Sequence, residues 1–242
     1  MRKILFPLYA LYQICFAWWM GLFLTGLASL LILVCGHYLK IKNGDYWPAV
    51  VWCRLMCILF LLPIKVKGRE NIKKDQNYVY VANHQGMFDI FVMYGYVMKN
   101  FKWMMKDSLR KVPLLGIACY KTDHIFVNRT TPQKDLFRKA QKIMKSGKSM
   151  AIFAEGTRSN DGRLGRFKKG AFVVASLTRK PIVPTVIQGS YDTLPKGSIF
   201  VHWSPITLTF LPPIEAEGSG SEVVESLMTR TRSEIAKVLG EE

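Results

Sequence analysis

Hydrophobic positions fall along this chain in two regimes. Between residues 4 and 35 no side chain is charged, a run of about thirty residues where ~20 suffice to cross a bilayer. Arg2 and Lys3 precede it, and His37, Lys40 and Lys42 follow it. A second apolar stretch, 46–64, is interrupted by Arg54 and bracketed by Pro48 and Pro63. That pattern suits an interfacial segment, or one packed on the first helix, better than a clean span. The first run is too long for a cleaved signal peptide, and no clear small-residue cleavage site follows it. Basic residues on both flanks leave its orientation open. Two arrangements fit: one spanning helix with the rest cytoplasmic, or a two-helix hairpin dipping into one leaflet. A hairpin buried in a soluble core fits the length less well.

Beyond a basic stretch at 65–69, read as an exposed link, apolar runs of strand length alternate with helix-length patterns. Strands are expected at 78–82, 125–128, 149–153, 182–187, 199–203 and 206–210, and helices at 88–98, 109–120, 133–144, 167–177 and 222–238. This alternation predicts an α/β fold: a mixed β-sheet flanked by helices, preceded by an N-terminal membrane-associated helical segment. The expected division is 1–64 for the hydrophobic helices and 65–242 for the α/β domain. Residues 215–222, EAEGSGSE, read as a connector into the last helix.

Charge sharpens this picture. Half of the 242 residues are hydrophobic, and 34 Lys and Arg stand against 17 Asp and Glu. A chain both apolar and basic suits an anionic membrane surface. Nucleic-acid binding would explain the charge but not the apolar excess, and no recognisable module supports it. The 5 cysteines are an odd count and read as buried reduced thiols. Neither a metal site nor a cofactor is expected.

The chemistry begins where the first expected strand of the α/β part ends, at Asn83-His84-Gln85-Gly86-Met87-Phe88-Asp89. Five residues of straight helix turn a side chain through about 500°, so His84 and Asp89 meet only if the chain bends between them. Gly86 would supply that freedom. Asp89 then stands in the first helical turn, where negative charge is favourable. It can fix one imidazole nitrogen and leave the other free to take a proton. A second strand ends at Phe153-Ala154-Glu155-Gly156-Thr157-Arg158-Ser159. There, forked arginine donors and a glycine-freed backbone suit phosphate oxygens. Arg129 closes a third strand, and Lys106 lies upstream of it.

Together these stretches resemble the glycerolipid acyltransferases, and more closely the 1-acyl-glycerol-3-phosphate acyltransferases. The N-H-x4-D motif reads Asn83 to Asp89. A lysine, a Pro-x-x-Gly segment and I-F-x-x-R match Lys106, Pro113 to Gly116 and Ile125 to Arg129. The F-P-E-G-T-R-S motif reads Phe153 to Ser159, followed by Phe167 to Gly170. An apolar strand with a proline matches 181–186. The chain departs at Ala154, where proline is usual, at Asp123, where glycine is common, and at Asn128, where aspartate is common.

The resemblance implies transfer of a fatty acyl group from acyl-CoA or acyl-carrier protein to lysophosphatidate at a phospholipid membrane. In a bacterium this would be the inner membrane, with the catalytic domain facing the cytoplasm. His84 is the implied general base, and Asp89 orients it. Lys106, Arg129 and Arg158 are assigned the acceptor phosphate. Glu155 orients those groups or a substrate hydroxyl, and the backbone at Gly156 serves either phosphate or oxyanion. Thr157 and Ser159 complete the substrate-binding loop, and Pro184 is a candidate for the acyl pocket. Sister reactions on glycerol 3-phosphate or a lyso aminoacyl lipid, and a non-catalytic lipid-binding adaptor, are the alternatives.

Overall fold

The computed structural model describes residues 2–128, 133–218 and 220–241. The chain opens with α1 (Arg2–Tyr12) and α2 (Trp18–Ile32). Wider π-type turns at Gln13–Ala17 and Leu33–Tyr38 join and extend them into one rod. Its segment Leu5–Tyr38 is long and apolar enough to cross a membrane. Leu8, Trp19, Leu22 and Phe23 along it are each more than 60% exposed. The chain then returns through α3 (Trp47–Leu59), which starts at a proline where a missing N–H costs nothing.

The α/β part follows as β1 (Ile64–Lys67), β2 (Val79–Ala82), α4 (Phe88–Tyr96), β3 (Phe101–Lys106), α5 (Leu115–Lys121), β4 (Ile125–Val127) and α6 (Gln133–Lys145). It continues with β5 (Ser149–Phe153), α7 (Gly170–Thr178), β6 (Ile182–Gln188), the short α8 (Ser190–Thr193), β7 (Ile206–Phe210) and α9 (Ser221–Leu239). The strands form one seven-stranded sheet in the order β1-β7-β6-β2-β5-β3-β4. The strands from β6 to β4 run parallel, while β7 opposes β6 and β1 follows β7. The expected mixed sheet flanked by helices is therefore observed.

Strand alternation splits the interior into two cores. Tyr80 and Ala82 of β2 face α3 and α4, among Met56, Phe60, Phe88 and Val92. Val79 and Val81 face α6, α7 and α9, among Ile143, Phe172 and Leu227. The hairpin of rod and α3 thus shares its core with one face of the sheet. The opposite face is covered by helices of the α/β part alone.

Four local expectations change. Residues 65–69 are no exposed link: Ile64 and Val66 turn inward and Lys65 and Lys67 outward, so β1 is an edge strand beside β7. The strand expected at 199–203 is absent, because the Val201 backbone is taken by a side chain. Gln13, fully buried, donates from Nε2 to Val201 O and accepts the Val201 N–H on Oε1, both at 2.8 Å. The helix expected at 109–120 breaks into a 3₁₀ turn, Asp107–Lys111, and α5. Pro113 forces Val112 into an extended conformation. The unexpected strand β3 carries Lys102, which is fully buried and ion-paired with Asp45 from the loop between the rod and α3. Lys148 reaches the same oxygen at 3.3 Å.

Candidate active site

All five parallel strands end on one side of the sheet. From β2 the chain passes to α4 on one face, and from the neighbouring β5 it passes to α7 on the other. The crevice between two strands whose connections diverge is where open α/β sheets place their sites. His84 follows β2 and Glu155 follows β5, so both stand at that crevice.

Asn83 closes the end of β2 onto β6. Its amide donates to Ile187 O at 2.9 Å and accepts the Ile187 N–H at 2.8 Å. The chain then bends as expected, and His84 Nδ1–H donates to Asp89 Oδ2 at 2.7 Å. The same oxygen accepts the Gln85 and Gly86 N–H groups at 2.6 and 2.9 Å. The other oxygen accepts the Ser190 hydroxyl in a short hydrogen bond. Asp89 is fully buried in the first turn of α4, and these four donors offset the cost of burying its charge. His84 is slightly exposed, at 13%. Its Nε2 meets no hydrogen-bond partner among the described residues, so a basic lone pair faces the crevice.

Gly86 acts through space, not through conformational freedom. Its φ is not positive, but a Cβ there would stand 2.4 Å from Ser190 O. The bend therefore needs glycine because α8 presses on it. No pattern in the chain marks Ser190, since a serine one hundred and one positions from Asp89 has no spacing to the motif.

The β5 end braces the histidine. Phe153 stacks on the His84 ring, with centroids 3.9 Å apart and planes 9° apart, and Trp103 of β3 stacks behind Phe153. Glu155 is buried. It accepts the His84 N–H on Oε1 at 2.9 Å and the Gly165 N–H on Oε2 at 3.0 Å. Burial raises its carboxyl above the usual range, against the pull of those two amides. Glu155 thus meets backbone amides, where basic groups or a substrate hydroxyl were expected. Ser159 donates its N–H to His84 O at 2.8 Å. Its hydroxyl bonds Asp161 Oδ1 and Arg163 O.

Gly156 takes a positive φ of 72° and makes room for Lys168 Nζ, which a Cβ there would meet at 2.8 Å. Gly156 and Thr157 are exposed, and Arg158 is half-buried. Lys106 lies exposed at the end of β3, opposite Val127. Neither Arg158 nor Lys106 meets a carboxylate among the described residues. Arg129 lies outside the described residues. Pro184 is not brought to this crevice. It is buried in the middle of β6, opposite Val81, and by alternation it shares the face of Ile182 and Val186 in the second core. Cys119, on α5, is half-buried, and burial pushes its thiol up to about 11. It is a poor nucleophile near neutral pH.

A histidine with one nitrogen anchored and the other without a hydrogen-bond partner among the described residues thus stands at the ends of the parallel strands, where Lys106 and Arg158 meet no carboxylate among those residues. Residues 63–188 match the family model described as acyltransferase, and the chain belongs to that family. Within it, several of its relatives are named 1-acyl-sn-glycerol-3-phosphate acyltransferases. The chloroplastic enzyme of that name from Arabidopsis thaliana is 32% identical over 219 residues, covering 86% of this chain and 59% of its own length. That from Limnanthes douglasii is 31% identical, covering 78% of this chain and 67% of its own length. This chain thus spans about three fifths of the first relative's length. The crystal structure of PlsC, the 1-acyl-sn-glycerophosphate acyltransferase from Thermotoga maritima, superposes with a TM-score of 0.76 over 97% of both chains at 28% identity.

Proposed function

We propose that this protein transfers a fatty acyl group from an acyl thioester to the free hydroxyl of 1-acyl-glycerol-3-phosphate, yielding phosphatidate. The observation that carries the reading is the free Nε2 of His84, anchored through Nδ1 to a fully buried Asp89. His84 takes the proton of the acceptor hydroxyl as its oxygen attacks the thioester carbonyl. The C–S bond breaks, and the imidazolium returns the proton to the leaving thiolate. Asp89 stabilises the imidazolium throughout. No covalent acyl-enzyme and no cofactor is required. General-base catalysis of this kind contributes about 10² to 10⁴ in rate, and the remainder falls to positioning and oxyanion stabilisation.

Arg158 and Lys106, together with Arg129, bind the acceptor phosphate, and Thr157 and the Gly156 backbone adjoin Arg158 on the exposed loop. Glu155 and Ser159 act through His84, holding its backbone rather than touching substrate. The exposed apolar rod seats the chain in a phospholipid bilayer, where acceptor and acyl tails reside. In a bacterium the catalytic part faces the cytoplasm. The test is acyl transfer by purified protein, offering each donor with lysophosphatidate, glycerol 3-phosphate or a lyso aminoacyl lipid. Phosphatidate formed from lysophosphatidate and lost in His84→Ala supports the reading. Turnover on another acceptor alone moves the substrate, and equal turnover in the variant removes His84 from the chemistry.

A further inference from the structure

The two faces of the sheet differ in what covers them, and the crevice at His84 opens between them. The rod and α3 cover the face bearing Tyr80, and α9 lies on the other. A groove of about 400 Å³ opens on that second face, between the loop at Arg166 and Phe167 and one side of α9. It joins the site through the backbone. Gly165, one residue before Arg166, gives its N–H to Glu155, which holds the His84 N–H. His84 itself does not line it.

The lining has a definite chemistry. Arg166 and Arg232 supply two guanidinium groups, Thr229 and Ser233 supply hydroxyls, and Phe167 and Met228 supply an apolar floor. Neither arginine is ion-paired among the described residues. Glu241 also lines the groove, but its Oε2 is taken by the Leu164 N–H at 2.7 Å. Guanidinium pairs with flanking hydroxyls match phosphate oxygens, and an apolar floor matches an uncharged arm leading away from them.

We infer that this groove holds the phosphate-bearing pantetheine arm of the thioester donor, whether that arm belongs to acyl-CoA or to an acyl-carrier protein. The inference rests on the acyl-transfer reading above and adds where the donor lies. The acceptor, a lipid, reaches His84 from the side of the apolar rod. The donor's water-soluble half arrives on the opposite face. Its sulfur end then meets Nε2 at the seam between the two, with the phosphate held one loop away.

The experiment uses the full chain in detergent, with lysophosphatidate as acceptor and acyl-CoA or acyl-carrier protein as donor. The Arg166→Ala, Arg232→Ala double variant is expected to raise the donor KM roughly tenfold or more, given the usual strength of hydrogen bonds to charged groups. Turnover number and acceptor KM hold. Added salt raises the wild-type donor KM and moves the variant's much less, because the screened charges are gone. Arg232→Glu, an exposed charge reversal, gives the same direction without relying on the double variant's folding. An effect with both donors identifies the shared pantetheine phosphate, and an effect with one identifies that donor as the source. Unchanged donor KM in an active enzyme, or a rise in acceptor KM alone, overturns the inference. Free coenzyme A titrated calorimetrically gives a readout without turnover. If the wild type acylates no acceptor, the acyl-transfer reading fails. Coenzyme A binding that the double variant lacks would then still assign the groove, and its absence from the wild type would not.

Discussion

Two ion-paired carboxylates, Asp89 fully buried and Asp45 partly so, sit at opposite ends of the same sheet and are held in opposite ways. Asp89, at the strand C-terminal ends, is surrounded by three local donors, the His84 ring and two amides within four residues, and by one distant donor, the Ser190 hydroxyl. Its partner keeps one nitrogen free. Asp45, at the other end, is held by Lys102 and Lys148, whose strand and loop lie far along the chain. There the ammonium of Lys102 is fully buried and spent on the contact. One arrangement, on the acyl-transfer reading proposed above, keeps a proton acceptor poised beside a crevice. The other fastens the loop after the rod to the sheet. A buried acidic pair is thus a catalytic signal only when one member retains an unused, reachable atom.

The sharpest way to break this comparison is to exchange the losses. His84→Ala is expected to lower kcat by about 10² to 10⁴ with little change in Tm. Asp45→Ala is expected to do the reverse: stability falls by about 3 to 5 kcal/mol, because Lys102 is left buried without a counter-charge. The surviving folded fraction keeps its kcat. Thermal unfolding in detergent beside acyl-transfer rates measures both, and a kcat loss in folded Asp45→Ala would merge the two roles.

Smaller effects sharpen the contrast. Ser190→Ala removes one donor from Asp89 and is expected to reduce kcat/KM by roughly tenfold, in line with hydrogen bonds to charged groups. Ser190→Thr keeps the hydroxyl and should restore most of it, which a purely structural role for α8 would not require. Gly86→Ala drives a Cβ against Ser190 O and should disturb the same contact from the other side, with a loss of at least the Ser190→Ala size. Last comes acid stability. Burial alone would raise the Asp45 carboxyl, but Lys102 and Lys148 hold it below its ordinary 3.8. The unfolded chain therefore binds the proton first, and the pair's contribution, complete above about pH 5, is lost as the pH falls through 3.8 toward the lower folded value. Asp45→Asn should flatten that acid limb of the stability curve, as followed by unfolding from pH 6 to pH 2.

Much of this was legible in the sequence, because it is written locally. The bend from His84 to Asp89, the two loops after β2 and β5, and five of the six expected strands follow from patterns a few residues long. What escaped depends on distant partners. β3 was hidden because Lys102 interrupts an apolar strand, and only Asp45 makes its burial possible. The run at 199–203 has strand composition, yet Gln13 takes its backbone. Ser190 completes the anchor of Asp89 from the far end of β6. Glu155 looked like a ligand for cations because its neighbours are basic, but its oxygens turn to backbone amides.

The Gln13 clasp has a mechanical consequence. It is a two-way bond between a side chain inside the apolar rod and the main chain near the start of β7. Sliding the rod along its own axis would strip both Val201 groups of partners in dry surroundings, a cost of several kcal/mol. The rod is therefore indexed to the catalytic end at a single notch. With the rod seated in a bilayer as proposed above, that notch would act as a depth gauge for the free nitrogen of His84.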